Sequence, residues 1–350
     1  MIRTQITKLA LALVLTLGTL PLRAQDNFKD AFAEGSVPFT KNIRVTLTDA
    51  QNHTASVPIT ILKGKKEGPV FTILSGVHGF EYPPIIAAQE LIQEIDVDRL
   101  TGTVIIVPIA NTASFFSRTP FNNPLDNVNL NRAFPGDAAG SITQRIAAMF
   151  TTDIIPVSDV LLDIHGGDAS EDLLPFVCYY NNEQKPEQTQ LARRLSIASG
   201  FQYMVTYPYT LKDSEPAQYA FKQAVQDGKT ALSIESGKLG NVQKEAVASI
   251  KKGVYHMLHE MNMYETNGSP TKPIELNGQV YVKADTKGVF YSDLKAGDSV
   301  KKGDILGHTK DEFGNIIGKI KAPRSGIILY KIGTPPVNVG ETVFCIGYNH

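Results

Sequence analysis

Val70-Phe71-Thr72-Ile73-Leu74-Ser75-Gly76-Val77-His78-Gly79-Phe80-Glu81 is the stretch that decides the architecture. Its first five residues form an unbroken apolar run. A strand with one wet face alternates, whereas an unbroken run suits a strand buried on both faces of a sheet. The run stops at Ser75-Gly76, and a second glycine follows at Gly79. Glycine permits the tight turn needed to bring His78 and Glu81 together just past the carboxyl end of the strand. In open α/β sheets that is where sites gather. An imidazole and a carboxylate three residues apart can then share one metal ion. By itself His-x-x-Glu is an unspecific pattern, and a surface His and Glu near a helix start would look the same.

The same kind of run recurs at Val104–Ile109, Val160–Ile164 and Thr230–Ile234. Helical patterns separate the runs. Pro84–Leu100 places Ile85, Ala88, Leu91, Ile92 and Ile95 on one side, and Thr143–Asp153, Gln188–Ser199 and Lys244–Met261 also read as helices. Residues 42–62 alternate as two strands. Buried strands alternating with helices predict an α/β fold, a mixed sheet flanked by helices, over residues 25–265. Asn267-Gly268-Ser269-Pro270 then marks a linker, and residues 266–350 read as a small all-β domain. This tail repeats itself: Lys283–Val289 returns as Lys321–Ile327, and Val300–Leu306 as Val337–Val343. Two similar β halves predict a two-fold sandwich. It resembles the barrel-sandwich hybrid domain of lipoyl and biotinyl carriers, but Lys310–Lys319 lacks the carriers' modified-lysine signature.

Residues 1–24 have the three-part layout of a secretory signal peptide: Arg3 and Lys8, then a leucine-rich run, then Leu22-Arg23-Ala24. The apolar run, roughly a dozen residues, is too short to serve as a stable membrane anchor. A secreted, periplasmic protein is therefore expected. The chain of 350 residues has 34 Lys+Arg against 35 Asp+Glu. So even a balance argues against a nucleic-acid partner held by phosphate contacts. The two cysteines, Cys178 and Cys345, are too few for a disulfide framework or a four-thiolate metal site, and their pairing is left open. Nothing in the sequence defines the oligomeric state.

Further residues with chemistry follow the other buried runs. Asp163-Ile164-His165-Gly166 puts a second imidazole at a strand end. Two His and one Glu suit Zn²⁺ and leave a position for water. Asp163 reads either as the group that orients the His165 ring or as a turn carboxylate. Glu235, at the end of the run 230–234, is placed to move protons beside a metal. Between them lies a polar loop from Arg118 to Gly136, rich in amides and holding Arg118 and Arg132. Guanidinium groups there suit a carboxylate-bearing small molecule or a developing oxyanion. His256-Met257-Leu258-His259-Glu260 looks like a metal motif, but its His and Glu order does not match the helical zinc protease pattern.

His78-x-x-Glu81, Asn129-Leu130-Asn131-Arg132-Ala133-Phe134-Pro135-Gly136, Asp163-Ile164-His165-Gly166 and Glu235-Ser236-Gly237 occur in that order. Together they resemble the succinylglutamate desuccinylase/aspartoacylase family, relatives of the zinc carboxypeptidases, over about residues 40–345. The resemblance implies one Zn²⁺ per chain on His78, Glu81 and His165, with Glu235 as general base and acid. It implies that Asn131 and Arg132 grip the substrate carboxylate and that Arg118 polarises the scissile carbonyl. The expected reaction is hydrolysis of an N-acyl amino acid. Two rivals stand beside it: a metallocarboxypeptidase acting on cell-wall or other short peptides, and a non-catalytic ligand-binding protein on the same fold.

Overall fold

In the computed structural model, which describes residues 27–268 and 272–349, the run Val70–Leu74 lies inside a nine-stranded sheet. The leader read at residues 1–24 lies outside the described residues. In chain order the first elements are α1 (Phe28–Phe32), β1 (Phe39–Thr48), β2 (Thr54–Lys63), β3 (Lys66–Ser75), α2 (Tyr82–Glu94), β4 (Thr101–Val107), α3 (Thr112–Ser117), α4 (Ile142–Met149) and β5 (Val160–His165). There follow β6 (Glu171–Leu173), β7 (Phe176–Asn181), α5 (Pro186–Ala198), β8 (Tyr203–Pro208), α6 (Ala220–Gln226), β9 (Thr230–Glu235), α7 (Lys244–Glu260) and β10 (Ile274–Leu276).

The large sheet runs β1-β2-β4-β3-β5-β9-β7-β8-β10 and is mixed. Its centre is parallel: β3 pairs with β4 and β5, and β5 with β9. β1, β2 and β7 introduce the antiparallel pairings. The four expected runs form these central strands because both faces are covered. Phe71, Ile73, Val104, Leu162 and Leu232 pack with α2, α5 and α7 in one core. Leu74, Ile105 and Val107 point the other way, onto Ile142 and Ile146 of α4. Burying each such side chain stabilises the fold by roughly 1.5–3 kcal/mol. α2 ends at Glu94, short of the expected Leu100, because Ile95 is extended and the Asp96 side chain accepts the Asp98 N–H in a turn.

The C-terminal strands are β11 (Gly278–Lys283), β12 (Gly288–Tyr291), β13 (Ser299–Val300), β14 (Ile305–Lys310), β15 (Ile316–Lys321), β16 (Gly326–Ile332), β17 (Pro336–Val337) and β18 (Thr342–Tyr348). They make two sheets, β11-β18-β16-β13 and β15-β14-β12-β17. The sequence repeat explains the symmetry. β11 to β14 recur as β15 to β18, and each half lends its short third strand to the other half's sheet: β13 pairs with β16, and β17 with β12. The two parts of the chain also exchange strands. β10, beyond residue 265, completes the large sheet against β8, while β6 joins β16 of the C-terminal sheet.

Candidate active site

Three central strands end side by side, and their register sets the site. Leu74 of β3 lies opposite Asp163 of β5, and His165 of β5 opposite Glu235 of β9. After β3 the backbone turns at Gly76, φ +66°. The turn is tight: a Cβ on Gly79 would stand 2.3 Å from the Thr119 carbonyl oxygen. This bend folds His78 back over Glu81, at the start of α2.

Glu81 bridges the two imidazoles. Its Oε1 lies 2.5 Å from His78 Nδ1 and its Oε2 3.0 Å from His165 Nδ1, with all three side chains buried. Potential ligand atoms of His78, Glu81 and His165 lie within 4.8 Å of one another, and they are the only such group among the described residues. The far nitrogens face acceptors. His78 Nε2 lies 3.3 Å from Asn129 Oδ1 and His165 Nε2 lies 3.1 Å from Asp163 Oδ1, the latter off the N–H direction. Protons on both Nε2 atoms leave both Nδ1 atoms, which face the two oxygens of Glu81, with free lone pairs, the tautomer in which they could ligate a metal. Asp163 is therefore placed as the group that orients His165, not as a turn residue. Neither of its buried oxygens has a hydrogen-bond partner. The donor set fits a divalent cation: two imidazole nitrogens and one carboxylate, with the buried Asp163 carboxyl group behind them.

The electrostatics follow from burial and crowding. Burial would raise the Glu81 carboxyl, but the two imidazoles outweigh it and hold it at about 2. Burial opposes the charging of His165, yet Asp163 and Glu81 raise it well above the ordinary imidazole range. Burial pushes Glu235 up to about 8, helped by Glu81 and Asp163 and opposed by His165. Glu171 also reaches about 8, through burial and the neighbouring Asp168.

His78, Glu81, His165, Glu235, Asn131 and Arg132 all line one cavity of about 890 Å³. The buried Asn131 Oδ1 has no partner, and the Arg132 guanidinium stands 4.7 Å from the centre of the Tyr219 ring. Arg118 is not among the lining residues. It caps α3 with left-handed backbone, φ 52°, and its side chain is exposed. From the same loop it is Phe121 that reaches the cavity, its ring nearly perpendicular to that of His78 with the ring centres 5.5 Å apart. Sequence reading missed Tyr219, which caps the short α6, Lys222 on α6, and Glu171 on β6. It also missed the roof, where Gln279, Tyr281, Tyr330 and Tyr348 of the C-terminal strands line the same cavity. Cys178 and Cys345 are buried free thiols in its walls. His256 is a buried core histidine whose Nδ1 lies 3.2 Å from the Ala198 carbonyl oxygen.

Comparison with known proteins agrees with this architecture. Residues 67–261 match the family model described as the succinylglutamate desuccinylase/aspartoacylase catalytic domain. The chain is 32% identical over 301 residues to the N-alpha-acetyl-L-2,4-diaminobutyric acid deacetylase of Halomonas elongata, covering 83% of this chain and 85% of that one. Among solved structures, the product-bound ectoine utilization protein EutE (DoeB) from Ruegeria pomeroyi superposes with a TM-score of 0.79 at 25% identity, covering 89% and 95% of the two chains. A succinylglutamate desuccinylase from Silicibacter sp. TM1040 gives 0.80 at 25% identity, with the same coverage. The fold is thus a mixed α/β sheet with a buried His–Glu–His group at the carboxyl ends of its central strands. The chain belongs to the succinylglutamate desuccinylase/aspartoacylase family.

Proposed function

We propose that the protein is a secreted, zinc-dependent hydrolase that removes the acyl group from an N-acyl amino acid. The observation that carries the proposal is the convergence of His78, Glu81, His165, Glu235 and Arg132 on one cavity. The deacetylase activity named for the Halomonas relative supports the reaction class. His78, Glu81 and His165 would hold one Zn²⁺, which supplies Lewis acidity for amide hydrolysis. Glu235 accepts a proton from the attacking water and returns it to the nitrogen of the leaving amine, so one carboxylate serves both halves of the reaction. Its position opposite His165 in the ladder puts it beside the metal ligands. Asn131 and Arg132 orient the substrate through its carboxylate. Arg118 has no part in this scheme, since it lies outside the cavity. The signal-peptide layout of residues 1–24 supports export, and the internal repeat of the C-terminal strands supports a barrel-sandwich hybrid relationship.

The test is a panel of N-acetyl amino acids, including N-alpha-acetyl-L-2,4-diaminobutyrate, and short peptides, assayed with and without a chelator and with zinc content measured. Chelator-sensitive release of acetate with one zinc per chain is expected. Cleavage of peptides alone would point to the carboxypeptidase rival, and zinc-loaded protein inert toward the whole panel would refute the hydrolase reading.

A further inference from the structure

We propose that the cleft selects a neutral acyl group larger than acetyl and disfavours an acyl group that carries its own carboxylate. The inference rests on the N-acyl amino acid reading above, and its basis is the distribution of charge along the cavity. Arg132 and Lys222 are the Lys and Arg side chains that line the cavity among the described residues. Both stand against one ring: the Arg132 guanidinium is 4.7 Å and the Lys222 ammonium 5.9 Å from the centre of Tyr219. The positive charge is therefore gathered at a single end. Arg132 orients the amino-acid carboxylate there, so the acyl group extends past the metal ligands toward the other end.

That other end has a different chemistry. Its wall is Leu173, Phe176 and Leu329, together with the carboxyl group of Glu171; the apolar cluster they belong to runs on along β7 from Phe176 to Tyr180, whose ring centre stands 5.2 Å from the Lys222 ammonium at the cationic end. Phe176 lies opposite Glu235 in the sheet register, so the apolar wall begins beside the proton-transfer group. Leu173 pairs with Tyr330, which pairs in turn with Cys345, and Cys345 with Tyr281. This row roofs the cavity from the Glu171 end to the Tyr219 end. At the Tyr219 end a hydrogen-bond link closes the roof onto the sheet: Gln279 Nε2 donates to Tyr207 Oη at 3.0 Å, and Tyr281 Oη donates to Gln279 Oε1 at 3.2 Å. A succinyl-type carboxylate at the apolar end would meet no Lys or Arg side chain, at the cost of an unpaired charge in a partly desolvated site. An aliphatic or aromatic acyl group would meet apolar walls. About 890 Å³ is at the upper end of what holds a drug-sized ligand, far more than an acetyl group fills. Each methylene buried there is worth roughly fourfold in affinity.

The experiment uses N-acetyl, N-hexanoyl, N-benzoyl and N-succinyl derivatives of one amino acid. Turnover is measured with the zinc-loaded wild type, and affinity by calorimetry with the zinc-loaded Glu235→Gln variant. Hexanoyl and benzoyl substrates are expected to exceed acetyl by at least tenfold in both kcat/KM and affinity, with succinyl lowest. Tyr330→Arg, which brings a cation to the apolar end, should raise the succinyl-to-hexanoyl ratio at least tenfold. Turnover or binding that favours succinyl or acetyl overturns the inference and leaves the hydrolase reading standing. The expected order of affinity without any turnover has the reverse meaning. No binding of any derivative counts against both.

Discussion

Replacing Glu235 by Gln in the metal-free protein should flatten the dependence of stability on pH, and the size of the effect follows from its surroundings. Burial, with Glu81 and Asp163 nearby, carries the Glu235 carboxyl from its ordinary 4.5 to about 8. At 1.36 kcal/mol per decade this gap corresponds to about 5 kcal/mol. The sign comes from proton linkage. The unfolded chain releases this proton near 4.5, whereas the folded chain keeps it to about 8. Stability is therefore fully present below the unfolded value, is lost as pH rises between the two, and levels off above the folded one. Gln has no proton to release. Between pH 5 and 8.5 the wild type should lose about 4 kcal/mol more than Glu235→Gln. Urea unfolding followed by circular dichroism, in chelator, at half-unit steps of pH, measures this directly. Glu171 titrates in both proteins, so the comparison is between slopes and not absolute values. Superimposable slopes would show that Glu235 is not held in a crowded, desolvated place, and its role in proton transfer would lose its physical basis. With zinc bound, the same variant should keep the metal and lose roughly 10²–10⁴-fold in kcat.

His165→Ala should remove zinc, read by elemental analysis, and abolish turnover while the circular dichroism spectrum stays native, because two of the three ligand atoms cannot close the site. Arg132→Ala should raise KM by roughly ten- to a hundredfold, the value of a charge-assisted hydrogen bond pair. Arg118→Ala should leave kcat and KM within about twofold, since its exposed side chain lies outside the cavity; a large loss of kcat would restore the expected carbonyl-polarising role. Gly79→Ala drives a Cβ to 2.3 Å from one backbone oxygen and 2.4 Å from another, those of Thr119 and Ser114. A destabilisation of about 3 kcal/mol or more is expected, seen as a Tm drop of roughly 4–5 °C or more by scanning calorimetry.

What could be read from the sequence was what depends on local pattern. Val70–Leu74, Val160–Ile164 and Thr230–Ile234 announce doubly buried strands because each face meets its own core, so apolar residues follow one another and the few polar ones, Thr72, Asp163, Thr230 and Ser233, are themselves buried. Since those strands are parallel neighbours, their ends coincide in space, and His78, His165 and Glu235 follow directly. What could not be read depends on pairing between distant segments. β6 has three residues, and its partner β16 lies far along the chain, so no local signal links Glu171 and Leu173 to the roof. α6 spans only Ala220–Gln226, too short for a visible helical period, and it carries Lys222. Arg118 shows a different gap. A loop without periodicity says which side chains are polar but not which way they point, and α3 turns this one outward.

The compositional break near residue 265 is therefore not the physical boundary of the catalytic machinery. A polar linker marks where helical periodicity stops, but stability follows buried area and backbone pairing. Both cross the break. β10 lies past it and still completes the large sheet, and β6 lies before it and pairs with β16. Leu173, Phe176 and Cys178 from one side share an apolar cluster with Leu329 and Cys345 from the other. Separating the two parts would expose that cluster, leave two sheet edges unpaired, and take the roof from the cavity in one step. The roof is thus tied to the floor by the same pairings that hold the fold together. Any discrimination it exerts on a substrate is built into the folded state.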